Sequence, residues 1–219
     1  MNAQPAAIVV AFDGLVAETH AARTLAIIDA LGAEGTPVDP AEIAPMVLGR
    51  SLDETVDAVL QADARTRGAF LDHTVRDLTV LRARRAYSAI VAHGLPFRVG
   101  AAAWIDEQVA RGVRVVLRAD SIRADVEPLL HLSGLGDVVT FTRCADDLPR
   151  TRGAGSTADA WRAISSRLLA LRIDPASCGA LEASAIGAEA ARGHVDDVQV
   201  MSLLPTSTPS SRLVAHTDD

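Results

Sequence analysis

The chain has 219 residues, enough for one large domain or for a domain with an insertion. Hydrophobic residues make up 49% of it and charged residues 22%, which excludes an intrinsically disordered protein. The formal net charge of −7 argues against a nucleic-acid partner, because binding phosphates requires a concentrated basic face. All 21 basic residues are arginine, so the chain contains no lysine.

No pattern in the sequence predicts export or a membrane span. The first residues lack a basic segment followed by a long apolar stretch, and no apolar run approaches the roughly 20 residues that span a bilayer. Cys144 and Cys178 have neither CxxC spacing nor an accompanying histidine cluster, which argues against a metal site. We therefore expect a cytoplasmic protein with reduced thiols and no membrane partner.

Short apolar runs alternate with helical patterns along most of the chain. The apolar runs predict strands at residues 8–10, 113–117, 137–142, 178–181 and 198–204. Amphipathic patterns with glycine or proline stops predict helices at residues 103–111, 123–133 and 157–171. Strands separated by helices of this length predict an α/β fold, with a Rossmann-like parallel sheet covered by helices on both faces.

The segment after the first strand breaks this alternation. It predicts helices only, at residues 24–31, 40–48, 52–61 and 67–84. An all-helical insertion at this point predicts a cap over the carboxyl ends of the strands, where open α/β sheets bind ligands. We expect an α/β core formed by residues 1–18 and 88–204, a helical cap formed by residues 19–87, and a loosely ordered tail at residues 205–219, which are rich in Ser, Thr and Pro.

Five segments in order resemble the motifs of one known family. Residues 11–19 read AFDGLVAET, similar to DxDGxxxDT, and residues 181–191 read LEASAIGAEAA, similar to IEDSxxGVEAA. Between them lie a Gly-Arg-Ser at residues 49–51, DSIRADVE at residues 120–127 and ADDLPR at residues 145–150. Together these segments resemble the haloacid dehalogenase superfamily, in its β-phosphoglucomutase and phosphoglycolate phosphatase-like branch with a helical cap.

The resemblance implies that the catalytic centre has changed. Family members attack phosphorus with the first Asp of DxD, and the second Asp protonates the leaving oxygen. In this chain the nucleophile's position holds Ala11, whose methyl group cannot attack phosphorus, whereas Asp13 matches the acid/base position. Asp13 is therefore a vestigial general acid or, in the alternative interpretation, a residue that caps its own turn by accepting backbone N–H bonds.

The other catalytic positions have changed as well. Ala119 stands where relatives carry a phosphate-binding Ser or Thr, and Arg152 is the nearest candidate for the family's charge-neutralising lysine. The acidic pair that holds Mg²⁺ in relatives reads Glu182-Ala183, which leaves one carboxylate and predicts loss of the magnesium site. We expect Glu182 to be a vestigial ligand that is hydrogen-bonded to nearby backbone N–H groups. Arg50, with Arg152, is a candidate for binding an anionic ligand.

These losses predict a pseudoenzyme, because removing members of a catalytic unit abolishes most of the rate. The expected function is that of a non-catalytic subunit that binds and stabilises a partner enzyme, in bacterial secondary-metabolite biosynthesis. Two enzymatic alternatives stay open: a repurposed enzyme doing acid/base chemistry with Asp13 and Glu182, and a residual phosphatase-like hydrolase. A weaker third hypothesis is a sensor that binds a phosphate ester through Arg50 and Arg152.

Overall fold

The computed structural model describes residues 4–68, 70–147 and 157–201. Its strands are β1 (Ala7–Ala11), β2 (Arg114–Arg118), β3 (Phe141–Arg143), β4 (Cys178–Glu182) and β5 (Asp197–Val200). All pairings between them are parallel, and the strand order is β3-β2-β1-β4-β5. The predicted α/β fold with a Rossmann-like parallel sheet is thereby confirmed. Residues 202–204 of the last predicted strand and the predicted tail lie outside the described residues.

The three central strands of the sheet, β2, β1 and β4, are buried on both faces, as their short apolar runs indicate. Successive side chains of a strand point to opposite faces, and in β1 they divide between two cores. Ile8 and Val10 pack in the core that also contains the helices of the insertion, whereas Ala7 and Val9 pack in a second core with Trp161. The carboxyl ends of β1, β2 and β4 therefore lie at one edge of a well-packed layer.

The helices lie between the strands and in the insertion after β1. In chain order they are α1 (Phe12–Leu15), α2 (Thr19–Ala33), α3 (Pro40–Val47), α4 (Leu52–Thr66), α5 (His73–Ala92), α6 (Ala101–Ala110), α7 (Arg123–Ser133), α8 (Thr157–Ala170) and α9 (Ala185–Arg192). α2 packs against α3 and α5, and α4 also packs against α5. No helix in the described part of the chain is long and apolar enough to cross a membrane.

Several predicted elements have different bounds in the structure. α2 begins at Thr19 and not at residue 24, and α4 continues to Thr66, past the predicted end at residue 61. The helix predicted at residues 67–84 begins at His73 instead, because the Asp72 side chain accepts hydrogen bonds from the amides of Thr74 and Val75 and so caps the first turn. The strand predicted at residues 137–142 is reduced to β3, because residues 137–140 form a turn. α5 continues to Ala92, past the predicted end of the cap at residue 87, and the division into cap and core stays a prediction.

Candidate functional site

The candidate site lies where the carboxyl ends of β1, β2 and β4 meet. Ala11 ends β1 and is paired in register with Arg118, which ends β2. Glu182 ends β4, on the other side of β1. The side chain of Arg118 is 2% exposed and that of Glu182 is fully buried. Two charged groups are therefore enclosed at an edge where β1 itself contributes only a methyl group.

Arg118 and Glu182 form a two-pronged ion pair. Nε of Arg118 donates to Oε1 of Glu182 at 2.8 Å, and Nη2 donates to Oε2 at 2.7 Å. The remaining terminal nitrogen, Nη1, donates to the carboxylate of Asp120, which is also buried. Fork-to-fork pairing of this kind is the strongest geometry available to a guanidinium and a carboxylate. It occupies both oxygens of Glu182 and a carboxylate oxygen of Asp120.

The charge on Arg118 is held in place by its two partners. Burial acts to lower the pKa of the guanidinium, but Asp120 and Glu182 outweigh burial and keep this pKa well above its ordinary value. A permanently charged guanidinium is suited to such a buried position, because it does not neutralise itself by losing a proton. The centre of the site is therefore a fixed positive charge enclosed by two carboxylates.

Asp13 is held by a neighbouring loop. Its Oδ2 accepts hydrogen bonds from the amides of Asp120 (2.7 Å) and Ser121 (3.3 Å), and its Oδ1 accepts one from the Ser121 hydroxyl (2.8 Å). The expectation that Asp13 caps its own turn is therefore wrong. The amides that donate to its carboxylate belong to the loop after β2, about a hundred residues further along the chain. Asp13 therefore links the segment that follows β1 to the loop that follows β2.

The helical insertion contacts the same carboxylate. Arg23, on α2, is buried, with Nη1 3.9 Å from Oδ1 of Asp13 and Nη2 donating to the carbonyl of Arg50 at 2.5 Å. Tyr87, on α5, lies 3.2 Å from the Ser121 hydroxyl. Burial, followed by the neighbouring Asp13 charge, raises the pKa of the Tyr87 phenol well above its usual range, so this hydroxyl stays protonated. Side chains of the insertion thus enclose the site from above.

Two glycines permit close approach around the ion pair. A Cβ atom at Gly187 would lie 2.2 Å from Oε2 of Glu182, so α9 can contact the carboxylate only through a glycine. Gly49 has φ +78°, and a Cβ there would lie 2.2 Å from the Ser184 hydroxyl oxygen. The Gly49 carbonyl also accepts a hydrogen bond from Thr157. The Gly-Arg-Ser segment at residues 49–51 is therefore packed directly against the loop after β4.

The residues at this edge do not fit the Mg²⁺ ion that the resemblance implies. Magnesium is usually anchored by one or two carboxylates in octahedral oxygen coordination. Both oxygens of Glu182 accept from Arg118, Ala11 and Ala183 offer no side-chain oxygen, and a guanidinium repels a second cation. Within residues 4–68, 70–147 and 157–201 there is no group of three or more His, Cys, Asp or Glu side chains that could hold a metal.

The structure places the remaining predicted residues as follows. Ala119 and Ala183 are buried beside the strand ends. Nη1 of Arg50 donates to the Met46 carbonyl at 3.2 Å, within the insertion. Arg152 lies outside the described residues. The expectation that Glu182 binds backbone N–H groups is wrong, because Arg118 takes both of its oxygens.

Sequence reasoning missed Arg118 and Arg23, which supply the positive charge of the site. One signal for Arg118 was present. Arg118 directly follows the three buried apolar residues of β2, at the edge where function gathers in α/β sheets. A charged residue at the end of a buried strand indicates a buried partner. Arg23 gave no comparable signal, because arginine is ordinary on a helix.

Solved structures share this fold. A predicted phosphoglycolate phosphatase from Haemophilus somnus 129PT superposes with a TM-score of 0.72 at 12% identity, covering 91% of this chain and 85% of that one. The β-phosphoglucomutase of Clostridium difficile gives 0.69 at 16%, covering 87% and 81%. CbbY of Rhodobacter sphaeroides, solved in complex with phosphate, gives 0.67 at 21%, covering 94% and 91%. No family model and no curated protein matches the sequence.

These similarities define the class of the fold as an α/β layer with a helical insertion after the first strand. More specifically, it is the haloacid dehalogenase fold, in the form found in predicted phosphoglycolate phosphatases, a β-phosphoglucomutase and a haloacid dehalogenase-like hydrolase. The resemblance drawn from the sequence motifs is thus confirmed at the level of the fold. At identities of 12–21%, the similarity to these three structures says nothing about catalysis by this chain.

Proposed function

We propose that this chain is a haloacid dehalogenase-fold protein that does not transfer phosphoryl groups and acts as a non-catalytic subunit, binding and stabilising a partner enzyme. The observation that supports the loss of catalysis is the ion pair between Arg118 and Glu182 beside Ala11. The position of the nucleophile carries a methyl group, and the carboxylate that would anchor a metal is neutralised by the chain itself. Phosphoryl transfer depends on a nucleophile and on positive charge directed at the phosphate. This site has a methyl group at the nucleophile's position, and the charge of Arg118 is directed at Glu182 and Asp120 instead.

The acid/base alternative receives less support from the geometry. It requires Asp13 and Glu182 to exchange protons with a ligand, yet every carboxylate oxygen of both residues accepts a hydrogen bond from the chain. A general acid must reach the atom it protonates. The proposal therefore keeps the accessory role and places the partner in bacterial secondary metabolism. A composition rich in alanine and arginine and free of lysine favours a bacterial source with a high-GC genome.

Hydrolysis of a generic phosphate ester with Mg²⁺ tests the loss of catalysis. We expect no turnover by the wild-type chain above the rate of a buffer control. Ala11→Asp alone should stay inactive, because a carboxylate there would lie beside the Arg118 guanidinium in the strand register. Mg²⁺-dependent turnover by the wild type would overturn the proposal.

The partner is tested by native mass spectrometry of the chain purified from its own host. A stoichiometric complex with a second chain, lost on dilution or at high salt, is the expected result. A monomer with no co-purifying chain would overturn the accessory role. Mapping the contact is simplified because the chain contains no lysine. A carbodiimide, which joins carboxylates to amines, can then link its Asp and Glu side chains only to partner lysines or to an N-terminal amine.

A further inference from the structure

The ion pair joins strands that are not neighbours in the sheet. Arg118 ends β2 and Glu182 ends β4, and β1 lies between them in the strand order. Strands in a sheet are about 4.8 Å apart, so the two Cα positions are separated by roughly two strand spacings. Arg118 therefore spans the end of β1, and the small side chain of Ala11 leaves this path open. The long side chain of Arg118 allows its guanidinium to reach Glu182 across the end of β1.

The position that Arg118 fills requires a positive charge. Glu182 is fully buried, and Asp120 is 7% exposed. Two carboxylates taken out of water near one another are strongly unfavourable unless a cation lies between them. In this chain the cation is the side chain of Arg118, whose three guanidinium nitrogens donate to the two carboxylates. The same donor set, hard carboxylate oxygens around one point, is what a divalent cation selects.

We infer that the Arg118 guanidinium is a built-in replacement for a divalent cation, which neutralises Glu182 and Asp120 and makes folding of this edge independent of metal. Truncation of Arg118 then converts the two carboxylates into a binding site for Mg²⁺ or Mn²⁺. The inference concerns the strand edge alone. Neither the phosphatase assay nor the search for a partner tests this inference.

The test compares thermal unfolding of three proteins in EDTA and in Mg²⁺. The melting temperature of the wild type should not respond to the ion. Arg118→Ala should melt lower than the wild type in EDTA and rise by about 3–6 °C when Mg²⁺ is present at ten times its dissociation constant. Arg118→Ala/Glu182→Gln, which removes a ligand charge, should lose that rise. Electron paramagnetic resonance of Mn²⁺ should show bound ion in the single variant only.

A matched control lies on the same strand. Arg114 begins β2 with an exposed side chain, so Arg114→Ala should unfold like the wild type and ignore Mg²⁺. A wild type that gains stability with Mg²⁺, or a folded Arg118→Ala that does not, would overturn the inference. If Arg118→Ala does not fold in EDTA, soluble yield with and without Mn²⁺ replaces the melting curve, with Arg118→Met as the variant that keeps the apolar stem. Failure of Mn²⁺ to recover either variant also overturns it.

Discussion

Replacing Glu182 by glutamine probes the centre of the site most directly. The carboxylate is fully buried and receives two hydrogen bonds, of 2.8 and 2.7 Å, from one guanidinium. Removing one partner of a buried ion pair costs about 3–5 kcal/mol, because the other charge is left uncompensated. Glutamine keeps the volume and one acceptor, and Asp120 still neutralises Arg118, so the lower end applies. We expect Glu182→Gln to lower the free energy of unfolding by about 3 kcal/mol.

Urea unfolding followed by tryptophan fluorescence measures this loss, because Trp161 is fully buried in the second core. The matched control is Glu189→Gln, which breaks the pair between Arg192 and Glu189 at 56% and 79% side-chain exposure. That exposed pair should contribute less than about 0.5 kcal/mol. If Glu182→Gln costs less than about 1 kcal/mol, or no more than the control, the buried ion pair does not hold the strand ends together.

Three further predictions follow from burial and close packing. Gly187→Ala should cost about 1–3 kcal/mol in urea unfolding, because its Cβ would lie 2.2 Å from Oε2 of Glu182. Gly32→Ala is the control: it lies within α2 with open space around its Cβ, so it should be neutral or stabilising. Equal losses of unfolding free energy in the two variants would contradict the packing argument. Burial raises the pKa of Cys144 to about 12, so thiol reagents at pH 8 should label the folded chain far more slowly than the unfolded one; rapid native labelling would contradict this. Burial also raises the pKa of the Asp125 carboxyl above 3.8, so ionising it weakens the fold as pH rises through the raised pKa. Asp125→Asn should therefore gain stability relative to wild type as the pH rises from 3.8 through the raised pKa, and a constant difference would refute the assignment.

Helix bounds could be predicted from the sequence where a local capping or stop residue marks them. The helix predicted at residues 123–133 has those bounds in the structure, because Gly134 adopts a left-handed conformation with φ +71° and ends the helix directly after Ser133. The start of α5 was misplaced because apolar spacing marks the middle of a helix and not its first residue. The Asp72 side chain, which caps that first turn, was the better marker.

The charges of the site depend on contacts that no local pattern contains. Ala11 and Ala183 could be recognised from the motifs, since each is a substitution within a known string of residues. The partner of Glu182 could not, because Arg118 lies 64 residues away in the chain and is brought near only by the strand order. Asp13 is similar: its amide donors belong to the loop after β2, 107 and 108 residues away. Local reasoning identified the carboxylates and assigned them the wrong donors.

The altered positions act together and not as independent losses. A chain that had lost only its nucleophile would still present Glu182 to a cation, and a single reversal could restore binding. Here a guanidinium already neutralises that carboxylate, so a carboxylate introduced at Ala11 would add a third negative partner around Arg118 before it served a metal. A metal site at this edge therefore requires the removal of Arg118 first, because its guanidinium already occupies the carboxylates of Glu182 and Asp120. The strand edge tolerates its two buried carboxylates because Arg118 neutralises both of them.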